Sequence, residues 1–488
     1  MTWIVRLKSM MQQKAKSDRF LFYAFLALFI WLPLPLGSNR LWAVSIAEIW
    51  VLLIAIAWLW LFMQNKVHLS QCFKQARLVV WLFFAFVLWV WVQVIPLPFF
   101  IVEFLSPHAA AIQSALIDPP QSFFTLSVNP TLTSVVALKS LSFFLIFVLT
   151  LLLLNNAQRI KYFAMTIVIC GLFQAIYGSL MTLSGVEYGF FVAKEASMGA
   201  ATGTFVNRNH LAGYLEMALA IGIGLMISTL SQHGSGSVRE WFRRMILVLL
   251  GPKARLRIGL AIMVIALVLT RSRMGNTAFF SSLLIAGVVG LAGILWLARK
   301  HKISQRTARP VLVLFISLMI IDVFIVGAWF GIDKVKDRLE QTSFATEIRD
   351  EVDIDTLDQL KDYMLTGSGG GTFAEVFPHY ATALFPGFID HAHNDYLEFG
   401  SEFGIIGGIV LVVLVLLSLF QAVQAQFMRR SSFMRGIGFA ASMGIIAILI
   451  HSTVDFNLQI PANAALFVSL LAFSWLAKYQ RSARGGNM

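Results

Sequence analysis

Between Asp390 and Asp395 the chain sets two carboxylates, two imidazoles and an amide close together: Asp390, His391, His393, Asn394 and Asp395. The apolar run that follows, 409–420, is able to enter a bilayer, so this cluster stands at the mouth of a membrane helix. Ionisable groups are costly there and mark functional sites by default. An imidazole exchanges its proton near neutrality, which suits it to general-base work. Read as a helix from about His391, the stretch puts His391, Asp395, Glu398 and Glu402 on one face. His393 then lies on the other face, in line with Gly400, Gly404 and Gly407, where small residues let a helix or a lipid chain come close. On this reading carboxylates hold His391 partly protonated, and His393 is the freer base. Asn394 can orient a neighbour or bind hydroxyls but cannot take a proton. The plainer alternative is a polar helix start at the interface. A metal site built on His391, His393 and Asp390 or Asp395 has no second ligand cluster behind it, so no metal is expected.

The elements that must position these groups are membrane helices. The chain has 488 residues, 58% of them hydrophobic and 13% charged, with a mean hydropathy of +0.77. That is the composition of an all-α polytopic membrane protein. About twelve spans of bilayer length lie near 20–36, 41–63, 78–95, 134–154, 162–183, 210–230, 256–270, 276–298, 311–331, 403–422, 436–451 and 463–478. Pro33 and Pro35 interrupt the first, which should kink or end early. Five basic residues precede it and no small-residue cleavage site follows, so it reads as a retained anchor. Cys72 and Cys170 offer neither a disulfide framework nor metal spacing.

Charge orients the spans. With the N-terminus cytoplasmic, 27 of the 38 Lys and Arg fall on the cytoplasmic side and 11 on the other, which places both termini in the cytoplasm. The net charge of +13 is therefore mostly a topology signal and not a sign of nucleic-acid binding. No phosphate-binding loop of the P-loop type and no dinucleotide fingerprint is present, and no cofactor is expected. Three regions result: a transmembrane region at 1–331, a large external loop at 332–402, and a second transmembrane region at 403–488.

The external side collects the remaining polar chemistry: Arg208, Arg271, Arg273 and Arg349 share it with both histidines. Positive-inside topology disfavours arginine there, so each asks for a reason. TRSRMGN packs Arg271 and Arg273 into one turn, and a guanidinium fork can grip a phosphate at any working pH. Headgroup snorkelling is the alternative for Arg271, and a surface ion pair with Asp350 or Glu351 for Arg349. The 332–402 loop holds 15 acidic and 5 basic residues, with a helical stretch at 333–362. Its GSGGG run, 367–371, reads as a flexible hinge before a phosphate loop. Glu48, Glu216, Asp322 and Asp455 are acidic groups in or beside spans, available for ion pairs or a conduction path.

GTFVNRNHLAGYL, LTRSRMGNTAF, GSGGGTFAEVFPHY, HAHNDYLEFGSEFGIIGG and HSTVDFNLQIP, in this order, resemble the O-antigen ligase and polymerase superfamily. The resemblance covers about 200–465 as motifs, with His393, Asn394 and Leu397 as its most specific part. It implies a GT-C-type glycosyltransferase in the bacterial inner membrane, working on the periplasmic face without metal or nucleotide. The donor it implies is a glycan on undecaprenyl diphosphate, and the acceptor a glycan or a lipid-linked glycan. Other polysaccharide assembly proteins are implied as partners beside the bilayer. By position, His393 matches the proposed base, with His391 as an additional candidate. Arg273 and Arg349 match the diphosphate-holding arginines, with Arg271 and Arg208 beside them. Asn394, Asn207, Asn209 and Tyr380 are the expected substrate-binding residues. Chain length and the large loop favour a repeat-unit polymerase over a ligase acting on lipid A core; an enzyme glycosylating protein is the third reading, and such members often carry an additional C-terminal soluble region. A transporter or flippase using the buried carboxylates is the reading from a different class, and no internal repeat supports it.

Overall fold

The computed structural model describes residues 18–116, 122–189, 192–194, 196–229, 252–300, 343–382 and 387–480. Twelve longer helices carry the fold: α1 Arg19–Trp31, α2 Leu41–Met63, α3 Arg77–Val92, α4 Pro130–Leu153, α5 Ala157–Ser184, α6 Arg208–Ser228, α7 Pro252–Leu269, α8 Arg273–Arg299, α9 Ser343–Asp362, α10 Asp395–Met428, α11 Ser432–His451 and α12 Pro461–Tyr479. Among the described residues eight are long and apolar enough to cross a membrane: α2, α4, α5, α6, α8, α10, α11 and α12. The chain is an integral membrane protein. Among the described residues strands are confined to two short antiparallel pairs, Leu97–Pro98 with Phe123–Phe124 and Tyr188–Gly189 with Val192–Ala193. Helices cover eleven of the expected spans. The ninth, 311–331, lies outside the described residues together with Asp322. As Pro33 and Pro35 require, α1 stops at Trp31.

Helix starts follow capping chemistry. Ser70, Asn129, Asn156, Asn207, Ser272, Asn394 and Ser431 each accept a hydrogen bond from an amide one turn on. In lipid the hydrophobic effect does not drive helices together, so close packing must. α6 and α12 form the centre, with 89% of their apolar windows buried against 22% for α2. A Cβ on Gly436 of α11 would lie 2.3 Å from the Gly224 carbonyl of α6, so these two backbones touch only because both residues are glycine. At the end where α1, α5 and α12 share contacts, Arg159 grips buried Asp18 through both nitrogens, at 2.6 and 2.8 Å.

The feature that shapes the opposite end is a break in α10. Gly404 adopts φ 63°, ψ −173°, dividing the helix into a polar piece from Asp395 and an apolar piece to Met428. A broken helix exposes carbonyls that lipid cannot satisfy. Here Trp89 Nε1 donates to Phe403 O at 2.9 Å, and Gln93 Nε2 donates to Glu402 O at 2.9 Å and to Thr366 O at 2.8 Å. Backbone supplies the rest. Gly369 N donates to Glu402 O, Ser368 N to Ser401 O and Ile405 N to Met364 O. The GSGGG run is therefore a fixed wedge, and the flexible-hinge expectation is corrected. Its glycines are needed for close approach: a Cβ on Gly367 would lie 2.1 Å from the Glu402 carbonyl.

Candidate active site

The histidine stretch is not helical from His391. Asn394 is the cap, its Oδ1 accepting from Tyr396 N at 3.1 Å and Leu397 N at 3.3 Å, and α10 starts at Asp395. His393 precedes it with φ 53°, in left-handed backbone. The shared-face argument fails with the helix, and so does the alignment of His393 with Gly400, Gly404 and Gly407. What separates the two imidazoles is a ring from the turn between α11 and α12. His391 stacks on Phe456 at 4.2 Å and 22°, whereas His393 meets it edge-on at 4.9 Å and 67°. A third imidazole, His210 of α6, packs edge-on at 4.7 Å. Three of the motifs thus converge on one phenylalanine.

Carboxylates then divide the pair. His391 Nδ1 is 2.7 Å from Glu398 Oε1, which also accepts from Gln459 Nε2 at 2.8 Å, while Glu398 Oε2 accepts from Ala392 N at 2.9 Å. Burial disfavours a charged His391, but the Glu398 charge and hydrogen bond outweigh it and push the imidazole up to about 9. Of the face expected to hold His391, only Glu398 bonds it. Asp395 instead accepts from Ser452 Oγ at 2.6 Å and Leu458 N at 3.2 Å, and Glu402 accepts from Phe373 N at 3.2 Å. Burial moves His393 the other way, below the ordinary histidine range, with the Asp455 charge opposing and the Arg349 charge assisting. Its Nδ1 is buried without a hydrogen-bond partner among the described residues. The surroundings thus favour the imidazolium form at His391 and the neutral form at His393, about the same ring.

The arginines are spread around this centre. Arg349 is exposed on α9, within charge range of His393 and of Asp353. Asp353 also bonds Asn394, so α9 lies over the histidine stretch; burial raises the Asp353 carboxyl to about 6. Arg273 is the first residue of α8, exposed, with Ser272 Oγ accepting from Gly275 N at 3.1 Å. That turn presses on α6: a Cβ on Gly275 would lie 2.6 Å from Ala212 Cβ and 3.1 Å from Glu216 Oε1. Arg271, at φ 55°, sits beside Gly199 and acts on Glu187. Arg208 opens α6, where Asn207 Oδ1 accepts from Asn209 N at 2.9 Å. Tyr380 belongs elsewhere: its hydroxyl donates to Asp362 Oδ2 at 2.8 Å, and its ring packs on the Ala109, Tyr363 and Val376 cluster. The structure thus brings His391, His393, Asn394 and Arg349 together, sets Arg273 against α6, and gives Asn394 and Asn207 capping roles.

Four groups the sequence reading did not single out complete the centre: His210, His451, Phe456 and Ser452. His451 Nδ1 is 2.8 Å from Glu216 Oε1, both fully buried, and His210 Nε2 is 3.8 Å from Asp455 Oδ1. Histidines in apolar spans facing carboxylates in other spans were the available signal. Lys139 of α4 is likewise the charged neighbour of Glu48. Among the described residues no group of three or more His, Cys, Asp or Glu is arranged to hold a metal ion.

The polar stretches of α8, α9 and the start of α10 have a known counterpart. Residues 258–412 match the family model for O-antigen ligase. The match takes in Arg271, Arg273, Arg349, the glycine wedge, both histidines and the Gly404 break. It supports the O-antigen ligase and polymerase superfamily and, with the membrane helices, an O-antigen ligase-type membrane enzyme. His210, Phe456 and His451 lie outside the matched O-antigen ligase segment, and Phe456 packs on its two histidines. No curated protein matches the chain.

Proposed function

We propose that this protein transfers a glycan from undecaprenyl diphosphate to an acceptor sugar hydroxyl at the periplasmic face of the inner membrane, joining repeat units as a polymerase. The observation that carries the reading is the placement of the two imidazoles around Phe456, one paired with Glu398 at 2.7 Å and one with its Nδ1 unpartnered among the described residues. A sugar hydroxyl is a poor nucleophile. Neutral His393 takes its proton as the oxygen attacks the anomeric carbon. The bond from that carbon to the diphosphate breaks with its electron pair, a new glycosidic bond forms, and attack from the opposite side inverts the centre. Charge develops on the leaving diphosphate, and cations placed to meet it lower the barrier most. Arg273 and Arg349 supply guanidinium forks for that task, with Arg271 and Arg208 at the rim. Imidazolium His391 adds a fixed positive charge next to the base. None of these roles needs a metal.

The charge asymmetry of the sequence supports twelve spans with both termini cytoplasmic. A second reading, a ligase moving the finished glycan to lipid A core, is favoured by the description of the family matched at 258–412. Purified protein in nanodiscs, given a defined glycan-diphosphate lipid, separates the two on a gel. A ladder without further acceptor means polymerase. A single transfer that requires lipid A core means ligase, and no transfer in either case overturns the proposal.

A further inference from the structure

Beneath Phe456 lies a layer of polar groups buried deeper than the proposed base. His210, Glu216, Asp395, His451 and Asp455 are all 3% exposed or less. In an apolar bundle such a layer is expensive, and it persists only where something requires it. Its hydrogen bonds are also incomplete. His210 Nε2, Glu216 Oε2, His393 Nδ1, Asp395 Oδ1, His451 Nε2 and Asp455 Oδ2 are buried with no hydrogen-bond partner among the described residues. Polar atoms left so at one place, from α6, α10, α11 and the turn after it, form a connected polar track and not scattered defects.

Two contacts give the track a direction. Glu216 Oε1 takes the Nδ1 side of His451 at 2.8 Å. With Nδ1–H donated to the carboxylate, the lone pair of His451 sits on Nε2, one of the unpartnered atoms. This is a carboxylate–imidazole dyad with its basic nitrogen free. Asp455 joins the groups: its Oδ1 accepts from Phe456 N at 2.8 Å, next to the ring that His393 and His210 meet edge-on, and its carbonyl accepts from Asp395 N at 3.3 Å, while Asp395 Oδ2 accepts at 2.6 Å from Ser452, the neighbour of His451. His210 Nε2 is 3.8 Å from Asp455 Oδ1.

We propose that Glu216 and His451 form a buried proton-holding dyad that relieves His393 through Asp455 and His210, so that the base is reset while product is still bound. The proposal rests on the glycosyl-transfer reading above. Its balance is simple: the acceptor hydroxyl proton, taken by His393, leaves from Nδ1 and ends on His451 Nε2. The Glu216–His451 pair gains one proton, and His393 returns to neutral. The proton leaves for water after the product departs. The groups facing the dyad are His210, Asp395 and Asp455, with His391 and His393 beyond them. Glu216 and His451 touch no substrate and are positioning residues in this scheme.

Glu216→Gln and His451→Gln test it in the full-length protein in nanodiscs. Glu216→Gln keeps the shape and the bond to His451 but removes the charge. With the glycan-diphosphate lipid, kcat should fall about tenfold, a fraction of what a general base contributes, with KM for donor unchanged. The acid limb of the kcat profile should move and the solvent deuterium effect should rise. Unchanged kcat, pH profile and isotope effect in an active protein would overturn the relay. A second readout needs no turnover: infrared-monitored pH titration of the carboxyl and imidazole bands. A Glu216-dependent band should shift its midpoint when His393→Gln is introduced. A band that titrates identically with and without His393 overturns the coupling even if the glycan donor is wrong, so the two failures remain separable.

Discussion

The His391 ring lies 4.2 Å from that of Phe456 and only 22° from parallel, while Glu398 holds its Nδ1 at 2.7 Å. Stacking and the ion pair fix one imidazole in place, and the same phenylalanine receives His393 on edge. The division makes the two histidines separable by experiment.

Transfer should show a bell-shaped pH dependence. Activity needs neutral His393, lowered by burial, and charged His391, raised to about 9. The rate therefore rises through the acid range, is flat near neutrality and falls as pH approaches about 9. Stability gained from the His391–Glu398 pair has the same sign: it is fully present below the unfolded histidine value and lost as pH rises through the folded one. Glu398→Gln should bring the alkaline limb of kcat/KM to lower pH, and an unmoved limb would remove His391 from the site.

His393→Ala should lower turnover on the order of a hundredfold or more, the usual share of a general base, with donor binding intact. His391→Ala should cost less in kcat and more in donor affinity. Single-turnover kinetics together with a donor-binding titration distinguish the two, and the reverse pattern would exchange the assignments.

Arg273→Lys should be nearly as damaging as Arg273→Ala, because an ammonium cannot reproduce a two-pronged grip on a diphosphate. A Lys variant with normal kcat/KM would reduce Arg273 to a headgroup anchor. Activity should also survive chelator; full loss in EDTA, restored by one divalent ion, would call for a metal-based mechanism.

Gly404→Ala should destabilise the protein by about 2 kcal/mol or more, since positive φ disfavours a side chain and the new Cβ has nowhere to go. It would lie 2.5 Å from the Leu365 carbonyl. Gly387→Ala meets nothing within 4 Å and serves as the control. Thermal unfolding in detergent reads both, and equal midpoints would contradict a fixed wedge. Asn394→Ala should lose about 1 kcal/mol through its cap, before any catalytic effect.

Labelling an Asp358→Cys variant tests the topology. A cysteine on exposed α9 should react from the periplasmic side in intact cells. Reaction only after the cytoplasm is opened would invert the whole arrangement.

Hydropathy and charge made the helices legible, because span length is set by the bilayer and each span carries its own signal. Arg349 and the two histidines were legible too, as polar residues in costly places. The start of α10 was not. Asn394 competes with its own helix as a cap, and a pattern of i, i+4 carboxylates hid this. Nor was the role of GSGGG: glycines that free a loop and glycines that admit a carbonyl at 2.1 Å look alike until the partner, Glu402, is in place. Phe456 stood in a quoted motif, but a ring that collects three imidazoles from distant segments has no local signature.

The Asp395 and Glu398 carboxylates draw partners from late in the chain: Ser452, Leu458 and Gln459 all follow α11. A chain made from its N-terminus therefore delivers Asp395 before the hydroxyl and amide that bond its carboxylate, while Glu398 already has His391 and Ala392 beside it. The Gly404 break keeps this acidic turn apart from the apolar half that inserts. His391 acquires its stacking partner only once the turn at Phe456 has been synthesised. On the proposed mechanism, a chain synthesised only through α11 lacks the ring on which His391, His393 and His210 meet, and its site is incomplete until the turn after α11 has folded back.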